Sequence, residues 1–336
     1  MLAIGEIRTG LLQNSTAVPA ALTTRALALL PGELVRSSER PIAYAVSPER
    51  LTGLDCRLPT RSRARARGVG TAVTRAAITG GRVLQASTRT VLMRAGTDRR
   101  LPWAHYLARP GVVEVTGRAG FADVADGYLG VPQQSTLDLA ALNERLFDDI
   151  VMRPELDRRP PFRVARTTLR WVAEVADEPA VPVRRPPRPA GDGDGAGDGP
   201  AQAQFWLAGG TLRTARLALP ADHLPMVVEL CEDLALHDWL LTTVTGLIER
   251  GRPDAAPGSV ADTAAVQRIR PAVDHLLHLW MPAARVDRRL LPLWESLERR
   301  PGFTRQWDVS VSRIRDQIAL TTVGLLGIVA EGITRA

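Results

Sequence analysis

Hydrophobic positions follow one rhythm before Pro220 and another after it. In the first two hundred residues they alternate or run in short blocks, which predicts strands; later they recur every three or four residues, which predicts helices. LAIGEIRTGLL (2–12) and RPIAYAV (40–46) read as strands. The segment RARARGVGTAVTRAAITGGRVLQASTRTVLMRAG (63–96) sets two β-rich runs around Gly80–Gly81. Adjacent glycines accept the positive φ angles of a tight hairpin, so a long hairpin is expected. TLRWVAEVA (168–176) and QFWLAGGTLRTARLAL (204–219) also suit strands, with a turn at Gly209–Gly210. LDLAALNERLF predicts a helix over 137–147, with Asp138 at the positive end of its dipole.

After Pro220, Val227, Leu230, Leu234, Leu241, Val244 and Ile248 mark one long helix, closed by Gly251. TAAVQRIRPAVDHLLHLWMP predicts a second, with a kink at Pro271. RRLLPLWESLERR predicts a third, and the stretch from Phe303 to Ile333 a fourth. In that last helix Trp307, Val311, Ile314, Ile318, Thr321, Leu325 and Ile328 form a heptad-like seam. Part of it could outrun its neighbours and meet a partner or a second copy of the chain. The expected fold is therefore α+β. A β-rich domain with long hairpins spans 1–219 and a carboxy-terminal α-helical bundle spans 220–336. Residues 177–202, rich in Pro, Gly and Asp, predict a disordered insert between two strands.

All 43 basic residues are arginine. Without lysine there is no Schiff base and no P-loop lysine. Residues 1–130 hold 18 Arg against 9 acidic residues, whereas 221–336 hold 13 against 15, so the positive charge is concentrated at the amino end. The opening MLAIGEIRTG lacks the features of a secretory signal, and the apolar run 318–330 is too short to span a bilayer. Cys56 and Cys231 form no C-x-x-C pair. A cytoplasmic location without a membrane span is expected.

Two constellations carry candidate chemistry. Asp233/His237 and Asp274/His278 repeat an Asp-x-x-x-His spacing, which puts each pair on one helix face. Two such helices packed together would offer four ligands to a divalent metal. Against this, His237 continues an apolar stripe and Arg270 stands four residues before Asp274. Buried polar tethers between helices, with no cofactor, account for both pairs. RSRARARG places Arg61, Arg63, Arg65 and Arg67 at period two, all on one face if the segment is a strand. Such a row suits an acidic protein partner, or nucleic acid through its phosphates. The ladder carries no aromatic residue for base stacking, which favours a protein. Asp192, Asp194 and Asp198 in GDGDGAGDG suggest calcium, but Ala203 stands where an EF-hand needs its closing Glu. Trp103, His105, Tyr106 and Arg109 cluster in LPWAHYLARPG as a pocket or a packed turn.

LCEDLALHDWLLTT, VDHLLHLWMPAAR, ERRPGFTRQW, EIRTGLLQNS and LPWAHYLARPGVVE resemble an uncharacterised family of actinobacterial proteins. The resemblance assigns no catalytic residue. It implies a multi-protein system, because family members tend to be found beside a variant P-loop protein and a methyltransferase-like protein. The expectation is a non-enzymatic interaction or scaffold subunit. A metal-dependent hydrolase and a nucleic-acid binder are the alternatives.

Overall fold

The β-rich runs build one mixed sheet. The structure, a computed structural model, describes residues 1–130, 136–175, 203–250, 266–267, 269–270, 273–299 and 302–335. The expected insert at 177–202 with its three aspartates, Gly251 and Pro271 lie outside them. β1 (Leu2–Leu11) pairs antiparallel with β6 (Val83–Arg94) on one side and β8 (Thr167–Val175) on the other. β10 (Leu212–Leu219) continues the sheet parallel to β8, and β9 (Ala203–Gly209) closes that edge as the other arm of a hairpin.

β5 (Ala66–Thr79) and β6 form the long hairpin, with Gly80 and Gly81 at φ +59° and +61°. The glycines are required twice over, since a Cβ on Gly80 would strike the Leu279 side chain and one on Gly81 the Val18 carbonyl. Away from the turn the hairpin forks. β7 (Val112–Gly117) enters between its arms, antiparallel to β5 and parallel to β6. The Thr71 hydroxyl accepts from the Gly111 N–H (2.8 Å) at the fork, and Gly70 lets the Val112 backbone approach. β4 (Arg50–Arg57) and β3 (Tyr44–Val46) line the outer side of β5, and β2 (Arg36–Ser38) pairs with β3.

Helices cover both faces, as alternation along β1 requires. Leu2 and Ile4 join a core with α3 (Phe121–Leu129) and the start of α4 (Leu139–Val151). Leu12 joins another with Leu27 of α1 (Ala20–Leu27) and Phe147 and Ile150 of α4. Ala3, Ile7 and Leu11 share the opposite core with α5 (Val227–Arg250), α6 (Leu291–Arg299) and α7 (Phe303–Arg335). α4 matches the helix expected over 137–147, and Asp138 caps it by accepting from the Ala141 N–H (2.9 Å). α1, α3 and the five-residue α2 (Trp103–Leu107) are too short to print a clear period.

α5 is the centre of the second layer. Every residue from Leu230 to Leu241 is buried, so this stretch is enclosed on all sides. The helix expected to run through VDHLLHLWMP is shorter than its sequence pattern. Residues 273–276 are helical, Leu277–Leu279 tighten into a 3-10 turn, and Trp280 is extended. Pro282 explains the stop, because it has no N–H for the His278 carbonyl. Trp280 then stacks on Trp307 of α7, with ring centroids 4.2 Å apart.

Candidate functional site

Besides the Cys231 thiol, the enclosed part of α5 carries four ionisable side chains: Glu232, Asp233, His237 and Asp238. Apolar neighbours force each to find a partner in the layer it faces. Asp238 turns toward β10, where Arg213 Nε donates at 3.0 Å. Burial pushes its carboxyl up to about 6, and Arg213 opposes that only in part.

Glu232 turns toward the sheet. Arg75 of β5 donates to it through Nε (2.8 Å) and Nη2 (2.7 Å), and the Ser87 hydroxyl donates at 2.6 Å. Burial alone would raise this carboxyl, but the Arg75 charge and these hydrogen bonds hold it below the usual carboxylate range. The Tyr44 hydroxyl lies 3.5 Å from Glu232 Oε2; burial, then the Glu232 charge, push its phenol up. Arg285 lies over the Tyr44 ring at 4.0 Å.

Asp233 and His237 turn toward the segment after the 3-10 turn. Asp233 Oδ2 accepts from the Ala283 N–H (2.8 Å), and Arg285 Nε stands 3.8 Å from Oδ1. His237 Nδ1 lies 2.7 Å from the Asp233 backbone carbonyl, which can only accept. Nδ1 therefore carries the proton in the neutral tautomer, and Nε2 is the acceptor. The ring meets Trp280 and Trp294 edge-on. Both residues line a cavity of about 110 Å³, walled by Ile42, Leu236 and Leu279 and rimmed by Arg40 and Met281.

The four expected metal ligands do not come together. Asp233 and His237 are buried, whereas Asp274 and His278 are exposed, and no three metal-ligating residues form a group among the described residues. The helix ends before His278, so the spacing that placed it beside Asp274 no longer applies. Asp274 pairs instead with Arg270 at 3.5 Å. The inward imidazole of this segment is His275, whose Nδ1 lies 2.9 Å from Arg82 Nη2. Burial and the Arg82 charge lower its pKa.

The arginine row is not a strand face either. β5 begins at Ala66, Arg63 has φ +61°, and Arg61 lies in a turn, so only Arg67 sits in a strand. Pro59 lacks an N–H for a ladder, and the Ser62 N–H donates to Asp123 of α3 (2.8 Å), drawing the segment off the sheet. Arg67 binds Asp55 (2.7 Å) and Arg61 lies 3.6 Å from Asp126. Arg63 and Arg65 are exposed and form no ion pair among the described residues. The Trp103 cluster is a packed turn: His105 Nε2 and Arg109 Nη1 each lie 2.8 Å from Glu114 Oε1 of β7.

Arg75, Glu232, Tyr44 and Arg285 escape a motif search because their spacings match nothing. One signal was present. Arg75 is the one charge inside TAVTRAAIT, and Glu232 is one of three acidic residues set among the apolar positions of VVELCEDLAL. No family model matches the chain, and neither a curated protein nor a solved structure matches it.

Proposed function

We propose that the chain is a non-enzymatic interaction subunit of a multi-protein assembly, with α7 as its docking element. In this reading the β-rich amino-terminal part and the helical bundle after Pro220 are scaffolds that present surfaces. The observation that carries it is the outward face of α7. Phe303, Trp307 and Ile314 bury one side of this helix in the core. Val309, Leu320 and Val323 are 49%, 59% and 68% exposed. At about 100° per residue they fall within roughly 60° of one another, on the far side from Trp307. Arg313 and Asp316 lie between them. A strip of exposed apolar residues with Arg313 and Asp316 in its middle suits a groove of another protein whose apolar walls also carry complementary charges. Products of neighbouring genes are the expected partners. The exposed Arg63 and Arg65 support steering toward an acidic surface, not base readout.

Tagged parent and a Leu320→Asp/Val323→Asp variant, purified gently from the native host, test this. Both positions are exposed, so the variant should unfold at the parent's temperature. The parent should retain defined partner chains that the variant loses. Identical retention by both proteins, or a parent that brings no chain with it, overturns the reading. A parent that only self-associates, with the variant monomeric, replaces the hetero-partner by a second copy.

A further inference from the structure

The cavity beside Asp233 and His237 collects polar atoms that the fold leaves without a hydrogen bond. Asp233 Oδ1, His237 Nε2, Thr79 Oγ1 and Arg285 Nη2 are buried, with no hydrogen-bond partner among the described residues. All four residues line the cavity. Asp233, His237 and Thr79 are each 1% exposed, so bulk solvent does not satisfy them. Buried polar groups without a hydrogen bond are costly, and four around one cavity point to a ligand.

We propose that this cavity binds a small zwitterion of the α-amino-acid class. Asp233 Oδ1 and the neutral-tautomer His237 Nε2 are two acceptors, which an ammonium group satisfies together. Arg285 Nη2 is a donor and matches a carboxylate, with Arg40 at the rim adding positive charge. The Thr79 hydroxyl can serve either group. Ile42, Leu236 and Leu279 supply an apolar wall for a short side chain. The carboxylate of Asp233 and the guanidinium of Arg285 already balance, so a ligand of zero net charge adds no uncompensated buried charge. The size agrees as well. A cavity of about 150 Å³ holds the six carbons of benzene, so 110 Å³ suits at most about six heavy atoms, which admits glycine and alanine. A metal ion fits poorly, because Asp233 and His237 are the only carboxylate and imidazole in the lining and Arg285 repels a cation. This site is independent of the docking role of α7.

The test is isothermal titration of the full chain with glycine and alanine, and with ethylamine and acetate as single-charge controls. Saturable binding is expected for the zwitterions only. Asp233→Asn keeps an oxygen for the Ala283 N–H and should weaken binding at least about tenfold. Ala284→Leu fills the cavity and should abolish it. The proposal is overturned if neither amino acid binds at millimolar concentration, if either control binds as well, or if both variants bind like the parent.

Discussion

Replacing either member of the Arg75–Glu232 pair should destabilise the protein more than replacing both. The two side chains are 5% and 2% exposed and share two hydrogen bonds under 3 Å. Arg75→Met leaves the Glu232 carboxylate buried with only Ser87 and Tyr44 as hydrogen-bonding side chains and the more distant Arg285 as a cation. Glu232→Met leaves a buried guanidinium without its acceptor. Each single change should cost about 3–5 kcal/mol, a large share of the roughly 5–15 kcal/mol that holds a domain folded. The double variant removes both charges and fills similar volume, so it should lie within about 2 kcal/mol of the parent. The coupling energy of the cycle is then at least about 4 kcal/mol. Urea unfolding at neutral pH, followed by tryptophan fluorescence, measures all four proteins. The pH dependence adds a sign. Arg75 depresses the Glu232 pKa, so the stabilisation is present above the unfolded value and is lost as pH falls through the folded one. The parent's margin over Glu232→Met should therefore shrink toward acid. Single variants within about 1 kcal/mol of the parent, or costs that simply add, would refute the argument.

Asp238 should behave in the opposite sense. Burial raises its pKa to about 6, so its favourable contribution is complete below the unfolded value of about 3.9 and is lost as pH rises through 6, by roughly 3 kcal/mol. In urea melts from pH 4 to 7, the parent should lose ground relative to Asp238→Asn; a constant difference across that range would disprove the assignment. Gly5→Ala should cost about 1–3 kcal/mol in the same assay, because its new methyl collides with the Trp171 indole. An unchanged midpoint would show that Trp171 yields freely.

Local features of the chain were legible wherever they rest on local physics. Gly80–Gly81 marked the β5–β6 hairpin and Asp138 marked the start of α4, since backbone freedom and capping act over a few residues. The insertion of β7 between β5 and β6 was hidden, because strand order depends on contacts distant in sequence. The arginine row misled because period two is only a face when the segment is a strand, and Ser62 tethers this one to α3. The Asp-x-x-x-His repeat misled at its second copy for a similar reason, with Pro282 ending the helix before the spacing could act. At the first copy, burial was foreseeable from the apolar stripe around His237. The cavity was not, since it joins α5 to Arg40, Thr79 and Arg285, which lie far away along the chain.

The parallel pairing of β8 with β10 bears on how freely the chain can vary. Val175 ends β8 opposite Leu219, and Ala203 begins β9 opposite Leu217. Both anchors thus sit at the same end of the sheet with one strand between them, about 10 Å apart at ordinary strand spacing. A handful of residues would bridge that gap, yet 27 separate the two strands. Lengthening or trimming this connection should keep both attachment points in place, because the gap itself needs only a handful of residues. It is the natural place to graft a reporter or an affinity handle, with the ten strands left to carry on unaware.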